Sequence, residues 1–206
     1  MVIASIMAGT GSDAEMENWC KLASACVDEG CDAIKLNMSC PHMDRKDMGA
    51  NINNDKIIIR LVIGAVKKVV RVPIWVKLTP SISSLVSASK APYEAGVSSI
   101  SLCNTFPSLP LMDPETMKFE DEVDGLVTSD GLVGLAMLHQ ALQGVSDIFR
   151  AFPNSELSGI GCIRGFQKAL NFIIHGARNL QVCTAAMEEK GSGGVEAHLI
   201  QELTHD

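Results

Sequence analysis

A chain of 206 residues of which 47% are hydrophobic is long enough for one large domain with its own buried core. A formal net charge of -7, a pI near 5.2 and basic residues scattered apart from short pairs such as Lys67-Lys68 exclude a nucleic-acid surface and a polyanionic partner. The seven cysteines, at 20, 26, 31, 40, 103, 162 and 183, form neither a C-x-x-C pair nor a ferredoxin-like spacing, so neither a zinc ribbon nor an iron–sulfur cluster is indicated, and reduced thiols in a cytoplasmic protein fit best.

Met1 is followed by the apolar run Val2 to Ala8, too short to span a membrane and without a basic flank or cleavage site. Val2 to Met7 instead reads as a buried strand that ends in the turn Gly9-Thr10-Gly11. Ser12-x-x-Glu15 then predicts a capping box for a helix running to about Asp28 and closed by Gly30. The same unit recurs as a strand at Ala33–Leu36 with a helix near Asp55–Val70, and a strand at Ile74–Leu78 with a helix near Leu85–Ala95. A strand at Ser99–Leu102 follows, then a helix near Gly134–Phe152, a strand at Glu156–Ile160, a helix near Phe166–His175, a strand at Leu180–Val182 and a last helix near Val195–Leu203. About six βα units in strict alternation imply a parallel sheet.

Several strands are followed at once by polar or Gly-rich tips, as expected of an α/β barrel of the TIM (β/α)8 type, in which the ligand lies where the C-terminal strand ends meet. An open doubly wound sheet is the second fold choice. Six units do not close an eight-stranded barrel, so residues 1–206 are expected to form one partial barrel lacking the first two units, a fragment or trimmed relative of the full fold. The strand beginning at Val2 and the one ending near Val182 should then lie at opposite edges of a curved sheet. The connection from Phe106 to about Val133 has no convincing helical period or long strand. Its Asp113-Pro114-Glu115-Thr116 turn, acidic stretch Glu120-Asp121-Glu122 and glycines 125 and 131 predict a hairpin-like excursion, either a lid over the site or a solvated insertion.

The stretch most suggestive of chemistry is Asn37-Met38-Ser39-Cys40-Pro41-His42, which sets an amide, a hydroxyl and a thiol at the C-terminal end of a strand. The plainer reading makes Asn37 a turn former and Cys40 a small buried hydrophobe. Lys77, with apolar residues on both sides in Trp75-Val76-Lys77-Leu78-Thr79-Pro80, needs an anionic partner unless it snorkels at the strand end. Asn104-Thr105 adds hydrogen-bonding groups after the next strand. Gly159-Ile160-Gly161 lets backbone N–H groups approach an anion near a helix N-terminus, for which phosphate is the natural guest, although a tight turn explains it equally. Cys183-Thr184-Ala185 follows the next strand, and in a barrel those two tips are neighbours.

Taken in order, Ile3-Ala4-Ser5-Ile6-Met7, Asn37 to His42, Val76-Lys77-Leu78-Thr79-Pro80, Cys103-Asn104-Thr105, Ser158-Gly159-Ile160-Gly161 and Leu180-Gln181-Val182-Cys183-Thr184 resemble the flavin barrel of the dihydropyrimidine dehydrogenases. The resemblance is to the type of the bacterial NAD-dependent subunit and the C-terminal part of the animal enzyme, within the wider class 1 dihydroorotate dehydrogenase family. The resemblance implies an FMN-dependent oxidoreductase that reduces the C5–C6 double bond of a pyrimidine. It gives Cys40 the general acid/base role toward a ring carbon, places Asn37, Ser39, Asn104 and Thr105 on the pyrimidine, sets Lys77 against the flavin ring, and brings Gly134, Gly159, Gly161, Cys183 and Thr184 to the cofactor. NAD(P) and iron–sulfur chemistry would come only through a partner chain or missing domain, the partner being an iron–sulfur/FAD electron-transfer subunit; an oligomer is expected, with no metal, nucleic acid or membrane. The chain departs from the pattern at Gly161-Cys162, where a Gly-Gly pair is usual, and at Asp130-Gly131-Leu132-Val133-Gly134, which predicts a weakened phosphate grip. The alternatives are dihydroorotate oxidation within the same family and a non-catalytic relic or interaction module that keeps the motifs by descent.

Overall fold

Residues 1–40, 52, 55–79, 85–119, 122–123, 126–127 and 130–185 are described in the computed structural model. The first unit shows how the local signals act. Strand β1 (Ile3–Ile6) leads to helix α1 (Asp13–Asp28), whose N-cap Ser12 accepts the Glu15 N–H at 3.3 Å. The expected reciprocal bond of a capping box shifts by one residue, because the Glu15 carboxylate accepts from Gly11 N at 3.1 Å and not from Ser12. At the other end Gly30, with φ +92, allows the paired bonds Gly30 N to Val27 O and Cys31 N to Cys26 O, a Schellman ending.

The alternation then proceeds through β2 (Ala33–Asn37), α2 (Lys56–Val69), β3 (Ile74–Leu78), α3 (Leu85–Glu94) and β4 (Ser99–Leu102). Asp55 caps α2 by accepting the Ile57 and Ile58 N–H groups at 2.9 and 3.1 Å, satisfying two donors that the helix itself cannot. After the excursion come α4 (Leu135–Ala151), β11 (Leu157–Ile160), α5 (Phe166–Ile174) and β12 (Asn179–Gln181). The helix expected near Val195–Leu203 lies outside the described residues, as do Pro41, His42 and Pro80.

The excursion consists of short antiparallel pairs: β5 (Phe106–Ser108) with β10 (Asp130–Leu132), β6 (Met112–Asp113) with β7 (Lys118–Phe119), and β8 (Glu122–Val123) with β9 (Leu126–Val127). The expected hairpin character is present, and the β5–β10 ribbon returns the chain close to where it left. The Asp113 carboxylate, which accepts from Glu115 N and Thr116 Oγ1, stabilises the turn between β6 and β7.

Six strands form one parallel sheet in the order β1-β2-β3-β4-β11-β12, so β1 and β12 occupy opposite edges and do not pair, as the count of units predicts. The face turned to the helices carries Ile34, Leu36, Ile74, Val76, Leu78, Ile100, Leu102 and Leu157, all buried. Successive helices also pack on one another along that face, α1 on α2 through α4 on α5, forming the outer layer of a barrel wall. Trp19 of α1 is fully buried and donates its indole N–H to Gly9 O at 3.0 Å, anchoring the first helix to the turn after β1.

The opposite face is mostly polar, with Trp75 as an apolar exception. The register pairs Ser5 with Lys35, Lys35 with Trp75, Asn37 with Lys77, and Lys77 with Ser101, and strand alternation puts these side chains on one side. How strongly the sheet curls is read from a single contact. Strands β2 and β12 are four places apart in the sheet order, about 19 Å in a flat sheet, yet Lys35 Nζ lies 2.9 Å from Gln181 Oε1. The sheet is therefore bent into a half-barrel whose interior face is hydrophilic, an incomplete (β/α)8 wall rather than an open doubly wound sheet.

Candidate active site

The C-terminal ends of β2 and β4 are tied together by one buried side chain. Asn104 Nδ2 donates to Ser39 O at 2.8 Å, to Ser39 Oγ at 3.1 Å and to Asn37 Oδ1 at 3.2 Å. Its Oδ1 accepts the Thr105 N–H at 3.0 Å, and its own backbone N–H goes to Leu78 O at the end of β3. The carbonyl on one side and the N–H on the other leave the amide only one orientation. Ser39 Oγ also lies 3.3 Å from Asn37 Oδ1, so Asn37, Ser39 and Asn104 form one connected set. Asn37 Nδ2 makes no hydrogen bond among the described residues, which leaves a donor for a ligand. Cys40, part-buried, follows directly on this set.

Lys77 connects this cluster to a cavity. Burial lowers its pKa, while the thiols of Cys103, Cys183 and Cys40, all within electrostatic reach, oppose the shift. The ammonium has neither a hydrogen-bond nor an ion-pair partner among the described residues. It lines a cavity of about 310 Å3, at the lower end of the range for small-molecule sites, whose other walls include Thr105, Gly134, Gly161, Arg164, Gln181 and Thr184. The β5–β10 ribbon ends beside it, since Thr105 precedes β5 and Val133 and Gly134 follow β10. Gly161, at φ +134, and Gly165, the N-cap of α5 at φ +91 with no side-chain cap, shape the turn between β11 and α5.

The residues expected from sequence thus fall into two adjoining groups. Lys77, Thr105, Gly134, Gly161, Cys183 and Thr184 line the cavity; Asn37, Ser39 and Asn104 form the hydrogen-bonded cluster at the neighbouring strand tips, with Cys40 next in the chain. Gly159 is placed differently. A Cβ there would stand 2.5 Å from the Phe172 ring, so this glycine lets α5 pack on β11 and is not part of the cavity wall. Sequence reading missed Arg164 at the cavity rim and Gln181 and Lys35 in the interior. The signal for Lys35 was available, for it is a charge set in an apolar strand on the same face as Asn37.

Cys103, buried and within electrostatic reach of Lys77, has its thiol pushed up from 9.0 to about 12 by burial, against the lowering effect of the lysine. The folded state therefore holds this proton more tightly than the unfolded chain, and the thiol's contribution to stability falls as pH rises from 9.0 towards 12. Cys103→Ala is expected to remove the thiol's share of the alkaline loss and leave that of Tyr93, which burial also pushes up to about 12; denaturant melts across this window check it, and a slope identical to the parent's would show that the thiol does not contribute.

The sequence pattern of a family described as dihydroorotate dehydrogenase matches residues 2–205. The chain belongs to the dihydroorotate dehydrogenase family. Among its relatives, the chloroplastic dihydropyrimidine dehydrogenase (NADP(+)) of Arabidopsis thaliana is 31% identical over 193 residues, covering 91% of this chain and 44% of that protein. The catalytic subunit of dihydroorotate dehydrogenase B (NAD(+)) of Methanothermobacter thermautotrophicus is 34% identical, with 87% and 59% covered. The NAD-dependent dihydropyrimidine dehydrogenase subunit PreA of Escherichia coli is 30% identical, with 91% and 45% covered. This member of the dihydroorotate dehydrogenase family thus spans about half the length of the curated relatives it matches. A crystal structure of DHODH from Eimeria tenella in complex with ferulenol superposes with a TM-score of 0.66 at 17% identity over 85% of this chain and 50% of that one, a likeness of fold. No helix among the described residues is long and apolar enough to cross a membrane.

Proposed function

We propose that the chain is the FMN-binding part of an oxidoreductase that reduces the C5–C6 double bond of a pyrimidine. The observation that carries this reading is the Lys77 ammonium, without a hydrogen-bond or ion-pair partner among the described residues, on the wall of a cavity that adjoins a cluster of amide and hydroxyl groups. The residues present fit the cofactor. Gly161, Arg164 and Thr184 offer a close backbone approach, a cation and a hydroxyl suited to a phosphate, and Gly134, Cys183 and Lys77 complete the wall. FMN, when bound, supplies the hydride chemistry. Asn37, Ser39, Asn104 and Thr105 hold and orient the pyrimidine through its polar edge, Asn37 Nδ2, which has no partner among the described residues, being the donor for a ring carbonyl. The Cys40 thiol gives its proton to the ring carbon on reduction and takes it back on oxidation. Lys77 stabilises negative charge that develops beside it.

Dihydroorotate oxidation uses the same groups in the reverse direction and is the second reading, favoured by the 34% identity to a protein named dihydroorotate dehydrogenase B. Two of the relatives are named as subunits, in keeping with electron delivery from NAD(P) through a partner chain carrying FAD or iron–sulfur centres.

Lys77→Met tests the proposal, because it keeps the apolar stem and removes the charge. Stopped flow is expected to show flavin reduction slowed by about 100-fold, the scale for losing one preorganised electrostatic group. The fold should be as stable or more so, since a half-buried ammonium with no counter-ion among the described residues opposes folding. An unaltered reduction rate would remove Lys77 from the mechanism.

A further inference from the structure

The interior of the half-barrel carries a second lysine that the proposed chemistry does not use. Lys35 and Lys77 stand on neighbouring strands and on the same face, since the register pairs Lys35 with Trp75 and Asn37 with Lys77. Neither forms an ion pair among the described residues. Lys35 is nevertheless held in place. Its Nζ donates to Gln181 Oε1 at 2.9 Å, and Gln181 Nε2 is held by Ser101 Oγ at 2.9 Å and Ser158 Oγ at 2.6 Å. Because the lysine can only donate, it fixes which end of the Gln181 amide faces it. One side chain thereby links β2, β4, β11 and β12, and that same Gln181 lines the cavity with Lys77.

Two ammonium groups on one sheltered face repel each other, and an interior charge without a counter-ion is costly. An ammonium has three donors, of which Gln181 takes one. We propose that Lys35 is a positioning cation of this site, which with Lys77 makes the half-barrel interior selective for a ligand that carries or gains delocalised negative charge. The inference rests on the flavin reading above and deepens it, for the ligand it describes is the cofactor in its reduced form.

Among the described residues the titratable groups that act on Lys35 are Lys77 and Cys183, and those that act on Lys77 are Cys103, Cys183 and Cys40. Burial first, and then the Lys77 charge, lowers the Lys35 pKa. The first arm of the test therefore needs no flavin. In the 206-residue chain with isotope-labelled lysines, the Lys35 titration followed by NMR should move upward in Lys77→Gln and stay in place in Lys77→Arg. A Lys35 titration indifferent to Lys77→Gln would overturn the pairing. The second arm loads the chain with FMN and measures the two-electron midpoint potential. Lys35→Gln should weaken the preference for reduced over oxidised flavin about tenfold, or about 30 mV, with Lys35→Arg close to the parent. An unshifted potential in Lys35→Gln would overturn the role, since a merely structural lysine alters stability and not potential. A parent chain that takes up no FMN defeats the flavin reading and leaves the first arm to decide the lysine pair.

Discussion

Cys40→Ala is expected to leave FMN bound while lowering pyrimidine reduction by about two to four orders of magnitude, the scale of losing a positioned general acid. The thiol follows directly on the Asn37–Ser39–Asn104 cluster, and Lys77, on the cavity wall, lies within its electrostatic reach. The proton donor is thus separable from the cofactor residues. The change should appear in kcat with little change in KM, because alanine removes a proton and not a binding contact. A variant as active as the parent would end the assignment, and loss of the flavin together with activity would place Cys40 in the cofactor site instead.

Asn104→Ala should damage both the fold and the site. Its amide is buried and joins β2 to β4 through Ser39 O, Ser39 Oγ and Asn37 Oδ1. Removal leaves the buried Ser39 carbonyl without its donor, at a cost of about 1–3 kcal/mol. The catalytic loss should be about 100-fold, because Asn37 and Ser39 are released from the geometry that aims them and displacements of about 1 Å have effects of that size. Asn104→Asp is the sharper variant: it keeps the shape but sets an oxygen against the Ser39 carbonyl and Asn37 Oδ1. It should be at least as damaging as alanine. Thermal melts and steady-state kinetics on both variants check this, and near-parental behaviour of Asn104→Asp would mean that the cluster does not organise the site.

What was legible from sequence was what local chemistry dictates. Short apolar runs, the Ser12 cap and Gly30 located the strands and helices within a residue or two, and counting βα units placed β1 and β12 at the sheet's edges. Strand tips such as Asn37–Cys40 and Asn104-Thr105 were visible because polar residues directly after an apolar strand mark the ligand-facing end. Less visible was anything decided by side chains meeting across the sheet. Gly159 looked like a phosphate glycine, and only the packing of Phe172 shows which neighbour needs the missing Cβ. Gln181 sits in an ordinary strand pattern, and its bonds to Lys35, Ser101 and Ser158 span 23 to 146 residues of sequence. The capping box failed by one residue because Glu15 reached Gly11, an alternative N–H that the motif does not specify.

The most direct test of the central claim is an anaerobic titration of the FMN-loaded chain with dihydrouracil and, separately, dihydroorotate, following the visible flavin absorption and the pyrimidine formed. The account predicts that one of the two bleaches the flavin with one equivalent of uracil or orotate appearing per flavin, and that Cys40→Ala bleaches far more slowly. A bound flavin that keeps its colour with both compounds would contradict it.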